Sequence, residues 1–165
     1  MKKLSIILFM LIGILTGCNN HSEEDIFTPL RIVTELEPQS SVIDWGNMTS
    51  EERRKYPRKG FVINSVDDFP NEPNINMDDL KLMGIDFSQY TLIVNYFLVP
   101  GYIKSHHYLW YYDNVDNQFI FQSDFNIVDP DNDPSQKFDL FTYYRAAIIV
   151  AKIPSDKKVT FTSSY

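Results

Sequence analysis

Tyr90-Thr91-Leu92-Ile93-Val94-Asn95-Tyr96-Phe97-Leu98-Val99, closed by Pro100-Gly101, is the stretch on which the fold turns. Nearly every residue in it is apolar, β-branched or aromatic. A run of this length that does not alternate reads as a strand buried on both faces, so it predicts the central strand of a sheet. The turn signal at Pro100-Gly101 ends it.

The chain that follows alternates visibly. Residues 102–112 predict a second strand, and 113–117 supply turn residues. Phe119, Phe121, Phe125 and Ile127 then fall with period two against Gln118, Gln122, Asp124 and Asn126, which predicts a hairpin. Asp129 to Gln136 reads as a polar loop. Phe138 to Ile153 is expected as a long strand bent near Arg145, and Val159 to Thr162 as a last one.

Upstream of the central stretch the signals are mixed. Leu30 to Leu36 is expected as a strand, and Phe61-Val62-Ile63 as another. Thr49-Ser50-Glu51-Glu52 has the spacing of a capping box, and Pro57 stops the short helix it opens. Asn76 is placed to cap a second helix with Asp78 and Asp79 in its first turn. There Met77, Leu80 and Met83 form the packing stripe and Gly84 closes the C-terminus. The aromatic content, 12 Phe, 10 Tyr and 2 Trp, favours pleated surfaces with cross-strand ring contacts. The order of elements predicts an α+β domain over residues 29–165, a mostly antiparallel β-sheet with one or two short helices packed on it.

The amino-terminal end has a different character. Lys2 and Lys3 precede an apolar run from Leu4 to Leu15, which closes on Leu15-Thr16-Gly17-Cys18. That is the basic, hydrophobic, small-residue order of a secretory signal over residues 1–17. The run is shorter than the about 20 apolar residues that cross a bilayer. Leu15-Thr16-Gly17-Cys18 resembles the lipobox of bacterial lipoproteins. The resemblance covers the first eighteen residues and implies that Cys18 becomes the new amino terminus, carrying a diacylglyceryl thioether and an amide-linked acyl chain. Each buried methylene contributes about 0.8 kcal/mol, so two or three chains anchor stably where one does not. Cys18 is the sole cysteine, which removes disulfides, zinc knuckles and a cysteine nucleophile from the mature domain. Residues 18–28 read as a flexible tether. Within it Ser22-Glu23-Glu24-Asp25 resembles the signal that sends lipoproteins of Bacteroidetes to the outer face of the outer membrane. The membrane, reached through the lipid anchor, is thus an expected partner, and the cell surface the expected location.

Without residues 1–17 the chain holds 13 basic and 22 acidic residues, a net charge near −9. Such a surface repels phosphate backbones, so nucleic acid is excluded as a partner. A second resemblance rests on Phe61 to Ser65, Ile85 to Tyr90 and Lys152 to Val159. These segments are similar to small lipoprotein domains of gut bacteria and to the C-terminal domain of a protease-complex subunit that assists a partner protease. That likeness implies a partner-binding role and brings no catalytic motif.

Chemistry-bearing patterns are sparse. No nucleophile elbow, zinc helix or phosphate-cradling glycine loop occurs, and no cofactor is expected. His106 and His107 are adjacent on a strand, so they point to opposite faces and cannot hold one ion together. Asp129, Asp131 and Asp133 have the alternate spacing of a calcium loop, although Pro134 replaces its turn glycine and Leu140 its bidentate glutamate. A solvated turn is the plainer reading. Tyr102, Lys104, His106, Tyr108, Trp110 and Tyr112 share one face of a regular strand. If that face is open, Tyr102, His106, Tyr108, Trp110 and Tyr112 form a ligand-binding row for a sugar ring or a protein side chain; if not, the row is core. The sequence therefore points to a surface lipoprotein acting as a non-enzymatic binding or protein-interaction module for a protein or glycan ligand. The alternative is a small hydrolase of exported glycan or peptide.

Overall fold

The structure, a computed structural model, describes residues 26–128 and 140–165. Among the described residues nine strands form two sheets. The first sheet has the order β1 (Phe27–Pro29), β6 (Tyr102–Asp113), β7 (Gln118–Val128), β9 (Val159–Ser164). In the second, β8 (Leu140–Ala151) lies between β5 (Tyr90–Pro100) and a shared edge. Along that edge β2 (Ile32–Glu35) and β3 (Gln39–Asp44) pair with successive parts of β8, and β4 (Gly60–Ile63) closes the far side. Pairing is antiparallel throughout except between β7 and β9. The expectation of a mostly antiparallel, β-rich fold with few helices holds. The expected single sheet is corrected to two, because β5 and the β6–β7 hairpin do not pair; they stack.

β5 shows why. Ile93, Phe97 and Val99 point into the layer between the sheets, where they meet Tyr144, Ala146, Ile148 and Val150 of β8 and Tyr108, Trp110, Phe121 and Phe125 of the hairpin. Leu92, Val94 and Tyr96 point the other way, into a second core under Phe69, Ile75, Met77 and Leu80. The strand is buried on both faces, as its predominantly apolar run predicts. The register of β5 on β8 runs without a break from Tyr90↔Ala151 to Pro100↔Phe141, passing Arg145 opposite Tyr96.

Among the described residues two short α-helices and a 3-10 turn, Val66–Asp68, lie outside the strands. α1 (Ser50–Arg53) begins with both arms of the capping box formed at Thr49 and Glu52, and it buries no residue. α2 (Asp78–Lys81) starts where the Asn76 side-chain oxygen accepts from the Asp78 amide at 2.9 Å, and Gly84 follows with φ +65°. Its stripe is shorter than expected. Met77 and Leu80 are buried while Met83 is 48% exposed, because the helix ends at Lys81 with its C-cap at Leu82 and does not reach Met83. α2 is pinned by Arg145, whose guanidinium grips both oxygens of Asp79 and donates to the Asn76 carbonyl at 3.2 Å.

Two edge elements lie outside the sequence expectation. β3, Gln-Ser-Ser-Val-Ile-Asp, is too polar to signal a strand, yet its backbone ladder to β8 runs from Gln39↔Arg145 to Asp44↔Leu140. β1 begins at Phe27, inside the stretch read as tether, and pairs Phe27 with Asp113. Among the described residues no helix is long and apolar enough to cross a membrane.

Candidate functional site

The expected aromatic row does not form one surface. The register of β6 on β7 slips between Ile103 and Ser105, so Lys104 is an extra residue and the side chains before it change face. Ile103 joins the inter-sheet core, and Tyr102, 41% exposed, is turned away from His106 and its followers. Tyr108 and Trp110 are 2% and 5% exposed. They are corrected from a ligand platform to core residues, as their hydroxyl and ring contacts explain. The Tyr108 hydroxyl lies 3.0 Å from that of Tyr144, and Trp110 stacks on Phe119 with centroids 5.2 Å apart. His106 is exposed at the core margin, its ring 4.8 Å from that of Tyr108. His107 faces oppositely, towards the Asp124 charge. Among the described residues no group of histidine and carboxylates is placed to hold a metal. Asp129, Asp131 and Asp133 lie outside the described residues, as does Cys18.

Of that row Tyr112 lines a cleft. Where β6 turns into β7, the start of the domain and the segment joining β8 to β9 border a shallow, open cleft of about 400 Å³. Leu30, Tyr112, Phe119 and Pro154 supply apolar walls, and Thr28, Asn114 and Lys157 supply polar groups. Typical small-ligand sites occupy about 300–1,000 Å³ and have this mixture of mostly apolar lining with a few polar groups.

Each wall has a local cause. The Leu30 amide donates to the Trp110 carbonyl at 2.8 Å, extending the pairing begun by β1 and fixing Leu30 over the hairpin. Phe119 is held edge-on to Tyr112, centroids 5.0 Å apart, with Trp110 stacked on it. The hairpin turn is set by Asp113, whose carboxylate accepts from the amides of Val115 and Asp116 at 2.9 and 3.1 Å. Those bonds, the Asp116 amide first, hold the Asp113 carboxyl below the ordinary carboxylate range. Asn117 then adopts a left-handed φ of 54°, a conformation asparagine tolerates. Its side-chain oxygen thereby accepts from both the Tyr112 hydroxyl and the Lys157 ammonium, the latter at 2.7 Å. Lys157 also lies 5.8 Å from the Tyr112 ring centroid, a cation–π arrangement. On the other side the Asn114 side chain donates to the Thr28 hydroxyl at 3.0 Å.

Comparison adds no outside witness. No family model matches the chain, and no curated protein or solved structure matches it either. The residues themselves carry the reading. The cleft is lined by no carboxylate, histidine or nucleophilic cysteine, so it has the means to hold an apolar group and to orient it by polar contacts at the rim. A second cavity, about 190 Å³, lies beside Arg145, Tyr96 and Tyr143, but the charge of that arginine is already met by Asp79.

Sequence reasoning found one cleft residue of seven because the others come from positions 28, 30, 114, 119, 154 and 157. No spacing announces that set. Only the Asp113–Asn117 turn signal marked its neighbourhood.

Proposed function

We propose that the chain is a lipid-anchored protein of the outer membrane, facing the cell exterior, whose domain is a non-enzymatic binding module for another protein. An apolar side chain of that partner enters the cleft between Leu30, Tyr112, Phe119 and Pro154. The observation that carries this reading is the cleft itself, apolar within and edged by one ammonium, one amide and one hydroxyl. Protein interfaces concentrate their energy where such a pocket receives a buried anchor. Lys157 at the rim suits a partner with an acidic group beside the anchor.

The lipobox-like Cys18 and the acidic Ser22-Glu23-Glu24-Asp25 support the address. They also bear on geometry. The Ile26 carbonyl accepts from the amide of the cleft residue Asn114 at 2.9 Å. Ile26 lies eight positions beyond Cys18, and eight steps of chain span at most about 28 Å. A lipid on Cys18 therefore holds the cleft close to the bilayer, and a partner resident in the same membrane meets it first.

The test uses whole cells. A photo-reactive side chain in place of Thr28 gives one discrete protein adduct at the cell surface, and Pro154→Arg, which puts charge across the mouth, abolishes it while the domain stays folded. Cys18→Ser moves the chain from the membrane to the soluble fraction. No protein adduct, or one indifferent to Pro154→Arg, overturns the binding reading. An adduct with carbohydrate replaces the protein ligand with a glycan, and turnover of glycan or peptide lost in Pro154→Arg replaces binding with hydrolysis.

A further inference from the structure

Among the described residues β9 is the end strand of its sheet and pairs on one side only, with β7. The Phe119 amide donates to the Lys158 carbonyl at 2.9 Å. In a strand the backbone groups of alternate residues point to the same side, so those of 158, 160, 162 and 164 face β7. The amides and carbonyls of Val159, Phe161 and Ser163 point outward, and among the described residues they meet no hydrogen-bonding partner.

Native edges are normally guarded by a charge, a proline or a bulge. β9 has none of these. It reads Val-Thr-Phe-Thr-Ser-Ser, and its register on β7 is unbroken from Val159 to Ser164. Charges of opposite sign stand at its ends, and Arg58 and Lys59 border a cavity that Phe161, Thr162 and Ser163 also line. Lys158 precedes the strand and is exposed. At the other end the Ser164 hydroxyl donates to Asp124 of β7 at 2.5 Å. Both Lys158 and Ser164 lie on the sheet face of Thr160 and Thr162, since all four are an even number of residues apart.

We propose that a second copy of this chain pairs with β9 antiparallel, about a two-fold axis that sets Phe161 opposite the second copy's Phe161, joining two four-stranded sheets into one of eight strands. In this register Lys158 stands opposite the second copy's Ser164, beside the carboxylate of its Asp124, and the symmetry makes the contact twice. An isologous interface needs a surface complementary to itself. A strand basic at its start and acidic at its end has that property only when paired antiparallel with its own copy. The Ser164 hydrogen bond also holds the Asp124 carboxyl below its ordinary range, so the acid is ionised when the lysine arrives. For a chain of net charge −7, two such contacts offset repulsion at the point where the copies meet.

The register makes a sharp test. Thr160 falls opposite the second copy's Thr162 as a pair without mutual hydrogen bonds, whose Cα atoms are about 4.5 Å apart, inside the about 4.4–6.8 Å range of a disulfide. The full chain is purified in detergent as the differently tagged variants Thr160→Cys and Thr162→Cys, with the parent chain as the Cys18 background. Mixed under mild oxidation, the two variants cross-link rapidly, while each alone and the parent do not. Sedimentation gives a dimer at micromolar concentration. Ser163→Pro removes an outward amide that β7 does not use and weakens association about tenfold or more. Should that variant melt early, the charge pair decides: Lys158→Glu weakens the dimer and Lys158→Glu/Asp124→Lys restores it. A monomer at all concentrations, a dimer whose mixed variants cross-link no faster than either alone, or a β9 edge cross-linked to a different protein each overturns the proposal.

Discussion

The hydroxyls of Tyr108 and Tyr144 lie 3.0 Å apart in the core, one from each sheet. Both side chains are buried, and Tyr144 also presents its ring to the edge of Phe125, centroids 5.1 Å apart. The pair is a polar bolt through an otherwise apolar layer. Neither hydroxyl has another hydrogen-bonding partner among the described residues, so each depends on the other.

Tyr144→Phe should therefore cost more than its lost atom suggests. It strands the Tyr108 hydroxyl in the core, and an unsatisfied buried hydroxyl costs about 1–3 kcal/mol. Removing both hydroxyls strands neither, so Tyr108→Phe/Tyr144→Phe should be close to the parent in stability. Urea midpoints at equal m-values check this. A double variant weaker than the single one would show that the bond, rather than its satisfaction, carries the energy.

The same pair sets an alkaline limit. Burial pushes the Tyr144 hydroxyl up to about 12, and burial likewise raises Tyr108, against about 10 for an unfolded tyrosine. A folded-state value above the unfolded one gives stability that is whole below about pH 10 and drains away as pH rises towards the folded value. The melting temperature should hold to about pH 10 and fall above it. In Tyr108→Phe/Tyr144→Phe the fall should be shallower, because those two groups no longer titrate in the unfolded chain.

At the acid end the decisive contact is Arg145 on Asp79. The guanidinium is 4% exposed and the carboxylate 47%. The hydrogen bond from Arg145 holds the Asp79 carboxyl below its ordinary range. A depressed folded value means that the stabilisation is present above about pH 4 and is lost as pH falls through the folded value. Asp79→Asn should thus destabilise at neutral pH and flatten the acid limb. Breaking a fully buried pair costs about 3–5 kcal/mol; with Asp79 half in solvent, about 1–3 kcal/mol is expected. Equal stability of variant and parent at pH 7 with unequal stability at pH 3 would contradict the assignment.

How much of this was written in the chain depends on whether the signal is local. β5 could be read because a ten-residue run with eight apolar or aromatic side chains, broken only by Thr91 and Asn95, is incompatible with a solvent-facing strand, whatever lies beside it. The β6–β7 hairpin could be read because alternation and turn chemistry are both short-range. The division into two sheets could not, since period-two alternation states that a face is buried but not against which element. The fate of the aromatic row turned on one residue. Lys104 is inserted without any mark in the sequence, and it sends Tyr102 to the opposite face from Tyr108. The cleft is less legible still, because Thr28, Asn114 and Pro154 meet only through the pairing of β1 with β6 and the return of the chain from β8 to β9.

Gly60 shows the same dependence on a distant residue and gives the last prediction. It stands where β4 passes the Phe161 ring of β9, and a Cβ built on it would lie 2.4 Å from that ring. The obstacle is a ring edge wedged against the core, where Phe161 meets Phe121 with centroids 6.3 Å apart. It cannot swing aside as the tip of a flexible chain would. Gly60→Ala forces either the strand or the ring to move, and overpacking of this kind costs about 1–3 kcal/mol. Because β4 pairs with β5 in one sheet and β9 with β7 in the other, the clash pries the two layers apart at their shared margin. Phe161→Leu trades the ring for a smaller side chain and loses packing of its own. Combined with Gly60→Ala it should cost less than the two single losses added together, a coupling that a double-mutant cycle in urea measures directly. Strict additivity would mean that the methyl finds room without Phe161, and that the close approach of β4 to β9 is not what selects glycine there.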